Sequence, residues 1–185
     1  KSRGSKIILF GTQNSVYNEK SMKIMVISDL HNDVPYTEMA VSLFKKEHYD
    51  KMYLLGDILE DSISILNPIS DKILAVRGNN DGYDCDDIAR FSLPYITYDY
   101  EFGKFIVLTH GHYYNPYNYD QPFDIMLLGH SHVSGITVNE RKQIIANPGS
   151  LAYPRDYNHS YMVMDEKGIR ILDINSGEVI HKLEF

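Results

Sequence analysis

Seven residues of metal-ligating type recur along the chain in short motifs: Asp29 and His31, Asp57, Asn79, His110, then His130 with His132. Each motif follows a short apolar run. Residues 23–28 precede Asp29-Leu30-His31, residues 51–55 precede Gly56-Asp57, and residues 72–76 lead into Gly78-Asn79-Asn80-Asp81. Residues 105–109 precede His110-Gly111-His112, and residues 125–128 precede Gly129-His130-Ser131-His132. Oxygen donors mixed with imidazoles, and no thiolates, suit Mn²⁺, Fe, Zn²⁺, Co²⁺ or Ni²⁺ and disfavour a structural zinc site. Seven donors are too many for one ion. Two ions about 3.5 Å apart, sharing a carboxylate and a bridging water or hydroxide, would use them all. Taken singly, each motif reads as a turn or helix cap; five in this order, each after a strand, do not.

The spacing has a local reason. In Asp29-x-His31 and His130-x-His132 the donors are two apart, and alternate side chains of an extended segment point the same way. Both members of each pair can then face one metal cluster. The glycines before Asp57, Asn79 and His130 permit tight turns and a close approach of metal and substrate. In open α/β sheets ligands bind beyond the carboxyl ends of strands, and five strands here deliver all seven residues to one such edge.

The elements that must position them alternate. Residues 23–28 form a continuous apolar strand, the pattern of burial on both faces. Pro35 opens a helix to about Lys46 with Tyr36, Ala40, Leu43 and Phe44 on one face. After the strand at 51–55, a short helix over 59–66 is closed by Asn67-Pro68, and 72–76 is a third strand. This βαβαβ order predicts a parallel sheet. Residues 96–102 and 105–109, joined at Gly103-Lys104, read as a hairpin. Further strands are expected at 125–128, 135–139, 143–146, 161–165, 169–175 and 179–183. The economical architecture is α/β: two mixed sheets packed face to face, with helices outside. Residues 22–185 form this domain. Residues 1–21 form a leader: 1–5 read as expression-derived and 12–21 lack periodicity, with residues 7–10 as an extra edge strand the alternative.

With 185 residues the chain suffices for one domain with a substantial core. No apolar run approaches a membrane span and no secretory h-region opens the chain. The one cysteine, Cys85, cannot form an internal disulfide, which fits a cytoplasmic setting. A net charge of −7, without any Lys/Arg cluster, argues against an extended nucleic-acid surface or an anionic membrane as partner. Bound divalent cations would supply the positive charge that the chain itself lacks. Apolar sheet edges would suit a homo-oligomer.

The motif series D-x-H, G-D, G-N-x-[D/E], H and G-H-x-H resembles the calcineurin-like metallophosphoesterase superfamily. It is most similar to the small YfcE-type phosphodiesterases, whose T-H-G-H and N-P-G-S stand here at 109–112 and 147–150. The resemblance runs from Lys23 to the C-terminus. It implies a four-layer αββα sandwich that hydrolyses small phosphodiesters with two divalent ions, commonly Mn²⁺. Asp29, His31 and His132 would hold one ion, Asn79, His110 and His130 the other, and Asp57 both. A bridging water would attack phosphorus in line, with Asn79 helping to stabilise the developing charge. Asp81 and the backbone around 147–150 would hold the ligands in place.

One departure matters. Many superfamily members carry His after the G-N pair, where it protonates the leaving group; Asn80 stands there and cannot. The change implies substrates with good leaving groups, with Asn80 against the substrate, or another acid. His112 is the nearest by sequence, with a loop-stabilising role as its plainer reading. Tyr113, Tyr114 and Tyr117 are expected to wall the substrate and stack on a base or aryl group. The competing functions are a phosphomonoesterase or protein phosphatase with the same site, and a Vps29-like non-catalytic scaffold.

Overall fold

The computed structural model describes residues 21–82 and 93–185. The leader through residue 20, with its alternative edge strand, and Cys85 lie outside the described residues. Strands β1 (Ile24–Ile27), β2 (Lys51–Leu54) and β3 (Ile73–Ala75) pair in parallel, as the βαβαβ order predicts. Helix α1 (Val34–Lys46) joins the first two. It starts where the Asp33 carboxylate accepts the Tyr36 N–H at 3.0 Å, with Pro35 in the first turn. Its deepest face is Thr37, Ala40, Val41 and Phe44, while Tyr36 and Leu43, expected on that face, lie partly buried beside it. Thr37 is tolerated there because its hydroxyl donates to the Asp33 carbonyl and meets Ser62 Oγ at 3.1 Å.

Helix α2 (Glu60–Leu66) ends at Asn67-Pro68 as expected, but the chain does not straighten there. The chain tightens into a 3-10 segment over Asn67–Lys72 with Pro68 in its first turn. Proline's fixed φ suits that position, and the donor it lacks would be unpaired there anyway.

Two mixed sheets result, as expected. The six-stranded sheet has the order β11-β10-β9-β1-β2-β3, where β9 (Ser160–Asp165), β10 (Gly168–Asp173) and β11 (Val179–Glu184) return antiparallel. The five-stranded sheet has the order β4-β5-β6-β8-β7. There β4 (Ile96–Glu101) and β5 (Lys104–Thr109) form the expected hairpin, and β6 (Ile125–Leu127) and β8 (Ile144–Asn147) run parallel to β5. Strand β7 (Gly135–Val138) closes the sheet antiparallel to β8. The hairpin turns at Phe102 and Gly103, both with positive φ, which matches strand twist in a two-residue loop.

The period of two sorts β1 between two cores. Ile24 and Val26 face the second sheet, packing in one cluster with Tyr53, Ile106, Leu108, Ile125 and Leu127. Met25 and Ile27 face α1 and α2, with Ala40, Phe44, Met52, Leu54 and Leu66. All four β1 residues are completely buried, which is why the strand reads as an unbroken apolar run. On the outer face of the second sheet, Phe123 covers Val107 and Met126, with Tyr119 beside them. Among the described residues no helix is long and apolar enough to cross a membrane.

Candidate metal centre

Each ligand-type motif begins within four residues of a strand's carboxyl end, but the five strands belong to two sheets. Strands β1, β2 and β3 present Asp29, His31, Asp57 and Asn79 from one; β5 and β6 present His110, His130 and His132 from the other. Face-to-face packing brings the two sets together. Asp29 and His110 are fully buried and Asp57 nearly so.

The backbone that aims them is not extended. Asp29, His31, Asp57, His130 and His132 all have φ between 45° and 65°, the left-handed region that costs of order 1 kcal/mol or more for a residue with a Cβ. The two-residue spacing therefore works through tight turns rather than strand alternation. Backbone bonds between the loops hold these turns: Asp29 N–H donates to Gly56 O at 3.1 Å, and Leu30 and His31 N–H both donate to Asp57 O.

The donors converge on two overlapping groups, Asp29 with His31 and His132, and Asp29 with Asp57 and His110. His132 Nε2 lies 3.2 Å from Asp29 Oδ1 and 3.2 Å from His31 Nε2. Asp57 Oδ2 lies 3.6 Å from His31 Nε2 and 3.5 Å from His110 Nε2. Asn79 Oδ1 stands 3.1 Å from His110 Nε2, and the His130 ring 5.1 Å from the His110 ring. A carbonyl can only accept, so Nδ1–H of His110 donates to Leu55 O at 2.6 Å and Nδ1–H of His132 to Tyr153 O at 2.7 Å. Each ring thereby aims Nε2 into the cluster, the arrangement that a carbonyl on the far ring nitrogen imposes on metal-binding histidines.

The cluster suits cations. Asp29 Oδ1 is buried with no hydrogen-bond partner, although Oδ2 accepts from Ser28 Oγ and from the His130 N–H. Burial raises the Asp29 pKa above the usual carboxylate range, against the pull of Ser28 and the histidines. Burial opposes ionisation of Asp57 too, but hydrogen bonds from His110 and Asn80 outweigh it and hold this carboxyl well below that range. His110 is held up despite burial, by Asp57 and Asp29. His112 and His130 are pushed down by burial and by the charge of His110. Two carboxylates, an amide oxygen and imidazole nitrogens, that of His110 once its Nε2 proton is displaced, form a donor set that divalent ions satisfy.

Residues outside the donor set hold it. The Asp81 carboxylate accepts the N–H groups of Asp57, Ile58, Leu59 and Gly78. Around 147–150 it is side chains, more than backbone, that act: Asn147 Nδ2 donates to Gly129 O, and Ser150 Oγ to Asp29 O. The glycines admit neighbouring protein. A Cβ on Gly78 would lie 2.2 Å from Asp57 N, and one on Gly129 1.9 Å from Ser28 Oγ.

Some expected substrate residues are placed differently. Asn80 turns its amide onto Asp57, Nδ2 donating to Oδ2 at 2.7 Å, so its amide nitrogen is engaged with that carboxylate. His112 lies beside the centre, its ring 5.3 Å from His110 and 6.1 Å from His130, with Nδ1 buried and without a partner. Tyr113 adjoins His112. Tyr114 packs on Tyr113, and its carbonyl accepts from Thr109 Oγ1. Tyr117 does not join them: 99% exposed, it lines a separate hollow with Asn139 and Arg141. Sequence proximity grouped three rings that the chain's turn at Asn115 separates. Two rings near the centre escaped the sequence reading. Tyr95 stacks on Tyr113 at 5.3 Å and meets His112 edge-on, and Tyr153 meets His31 edge-on at 5.7 Å.

The chain resembles known proteins over most of its length. Over 179 aligned residues the chain is 28% identical to phosphodiesterase YfcE of Escherichia coli K12, covering 86% of this chain and 96% of that one. The solved structure of E. coli YfcE, described as a phosphoesterase, matches with a TM-score of 0.82 at 25% identity, over 88% of this chain and 99% of that one. Vps29 of Entamoeba histolytica, solved in complex with zinc, shares the fold with a TM-score of 0.65 at 20% identity, over 88% and 99% of the two chains. The model of the calcineurin-like phosphoesterase superfamily domain matches residues 22–168. With that match spanning most of its length, the chain belongs to the calcineurin-like phosphoesterase superfamily.

Proposed function

We propose that the chain is a phosphodiesterase that hydrolyses small phosphodiesters at a centre of two divalent ions, Mn²⁺ ahead of Ni, Zn, Fe or Co. Asp29, His31 and His132 would hold one ion and Asn79, His110 and His130 the other. The observation that supports this most is the position of Asp57 Oδ2, within 3.6 Å of a histidine nitrogen from each set. When bound, the ions supply positive charge at the phosphoryl oxygens and a lowered pKa for water.

The chain's own residues supply orientation. Leu55 O and Tyr153 O fix the rings of His110 and His132, and Asn80 fixes Asp57. Because Asn80 cannot give a proton, esters whose leaving oxygen departs as a stable anion are favoured. His112 is the nearest imidazole outside the two sets. Burial and the charge of His110 lower its pKa, which disfavours the protonated form that a general acid needs. A net charge of −7 directs the reading toward small substrates and away from long nucleic acids. A cytoplasmic setting belongs to the same reading.

The test is hydrolysis of bis-p-nitrophenyl phosphate against p-nitrophenyl phosphate, with Mn²⁺ or EDTA, in the wild type and Asp57→Asn. Diester cleavage that needs Mn²⁺, exceeds monoester cleavage and falls by about 100-fold or more in the variant is expected. Faster monoester cleavage would favour a phosphomonoesterase. Mn²⁺ binding without cleavage of either ester would favour a binding scaffold.

A further inference from the structure

The donor cluster is flanked by aromatic rings at both ends. Tyr153 meets His31, which meets His132 at 5.0 Å. At the other end His110 and His130 meet His112, and beyond it stand Tyr95 and Tyr113, stacked on each other with an interplanar angle of 23°. Asp29 and Asp57 lie between, each within 4.0 Å of a histidine nitrogen from either end. The outer rings are not core. Tyr95 is 45% exposed, and Tyr113 and Tyr153 are each 59% exposed. Beside Tyr95 and His112 a hollow of about 590 Å³ opens, reached by Asn79 and floored by Gly78 and Leu93. That volume is within the range of small-molecule sites.

A phosphodiester has two esterified oxygens, each carrying a group away from phosphorus; in an in-line reaction the leaving one stands opposite the attacking water and the other points off to the side. We propose, resting on the phosphodiesterase reading, that the substrate carries a flat aromatic group on both ester oxygens, as a dinucleotide or diaryl diester does. One group packs on Tyr95 in the hollow, with Tyr113 backing that ring, and the other on Tyr153. The tyrosines are binding residues, and they act on selection rather than on the bond broken. A phosphomonoester would leave one wall unused, and a dialkyl diester both. Stacking on tyrosine tolerates any base, because every base offers a π-face.

The test uses Tyr95→Leu and Tyr153→Leu, which keep bulk and remove the ring, with Tyr→Phe at each position as the control. On Mn²⁺-loaded protein, each Leu variant raises KM for bis-p-nitrophenyl phosphate by about fivefold or more, the low end for a base–aromatic stack. The kcat changes little and Phe restores KM. With methyl p-nitrophenyl phosphate, only one of the two tyrosines matters. Calorimetry provides a readout independent of turnover: a dithymidine phosphorothioate binds more tightly than dimethyl phosphate, and each Leu variant narrows the gap. Unchanged KM in both Leu variants overturns the proposal, as does equal affinity for the two calorimetric ligands. If the wild type cleaves neither ester, the phosphodiesterase reading fails, and calorimetry still decides the two-walled site.

Discussion

Asp81 grips Asp57 by its backbone: Asp81 Oδ2 accepts the Asp57 N–H at 2.9 Å. The same oxygen accepts the Gly78 N–H at 2.7 Å, while Oδ1 accepts those of Ile58 and Leu59. One carboxylate thus ties the loop after β2 to the loop after β3 and meets four N–H groups that would otherwise compete for water. Asp81→Asn replaces one accepting oxygen by an NH₂ that faces donors. The expected result is a 10- to 100-fold loss of Mn²⁺ affinity, the usual effect of losing an outer-shell partner, with a lowered melting temperature. Titration calorimetry with Mn²⁺ measures this, and an unchanged affinity would remove Asp81 from the supporting role.

Gly78 allows the two loops to touch. A Cβ there would meet Asp57 Oδ1 at 2.1 Å and Asp57 N at 2.2 Å, and the second of these is backbone that cannot swing away. Gly78→Ala should therefore displace Asp57, destabilise the fold by about 1–3 kcal/mol as overpacking does, and abolish diester cleavage. Gly103, whose Cβ would meet nothing within 4 Å, is the spatial control, although its positive φ still carries a small conformational cost. Urea midpoints of the two alanine variants should differ clearly. Equal midpoints would show that the loops relax without loss.

The ligand motifs were legible because each follows an apolar run, so strand ends and chemistry coincide at Asp29, Asp57, Asn79, His110 and His130. What could not be read was how the sheets divide, since a fully buried strand looks the same in either one. Tyr95 and Tyr153 were invisible for a related reason. Tyr95 follows Pro94, whose carbonyl accepts the Arg77 N–H, and Tyr153 comes in through a bond to His132, 21 residues away. Both are tertiary pairings with no local signature. The turns carrying His31 and His132 were misread as extended because a spacing of two fits either backbone. For His31, the N–H groups of residues 29–32 donate to the carbonyls of 56–58 and so hold the left-handed turn.

A cross-sheet charge network gives a prediction about pH. Lys51 on β2 donates to Asp99 and Glu101 on β4, and Tyr53 OH donates to the same Asp99 oxygen at 2.7 Å. Burial works against both charges. Even so, Lys51 and Tyr53 hold Asp99 below its ordinary 3.8, and the two carboxylates hold Lys51 above its ordinary 10.5. A lowered carboxyl contributes stability above its unfolded pKa and loses it as pH falls through the folded value. A raised lysine contributes below its unfolded pKa and loses it as pH rises through the folded value. The network is thus complete from about pH 4 to 10 and weakens at either end. Lys51→Met should be less stable than the wild type at about pH 6, and the gap should narrow at about pH 2.5 as Asp99 protonates. Urea melts at the two pH values measure it. A gap that does not change with pH would assign the loss to packing of the lysine stem.

The unpartnered Oδ1 of Asp29 predicts how metal and fold are coupled. An ion that binds only the folded chain adds about 2.7 kcal/mol at 100 times its Kd. For a domain of this size that is roughly 5–10 °C in melting temperature. Mn²⁺ should give such a rise, and EDTA should reverse it. Asp29→Asn separates the two effects. Burial raises the Asp29 pKa, so the ionised form costs stability as pH rises toward neutrality, and a neutral amide does not carry that cost. The amide oxygen can still accept from Ser28 Oγ and the His130 N–H in place of Oδ2. Without metal, Asp29→Asn should therefore melt at or above the wild-type temperature, yet gain almost nothing from Mn²⁺. Thermal melts of both proteins with EDTA and with graded Mn²⁺ measure this. The same Mn²⁺ shift in both would exclude Asp29 as a ligand. A metal-free variant that melts well below the wild type would mean that the buried carboxylate serves the fold rather than the ion.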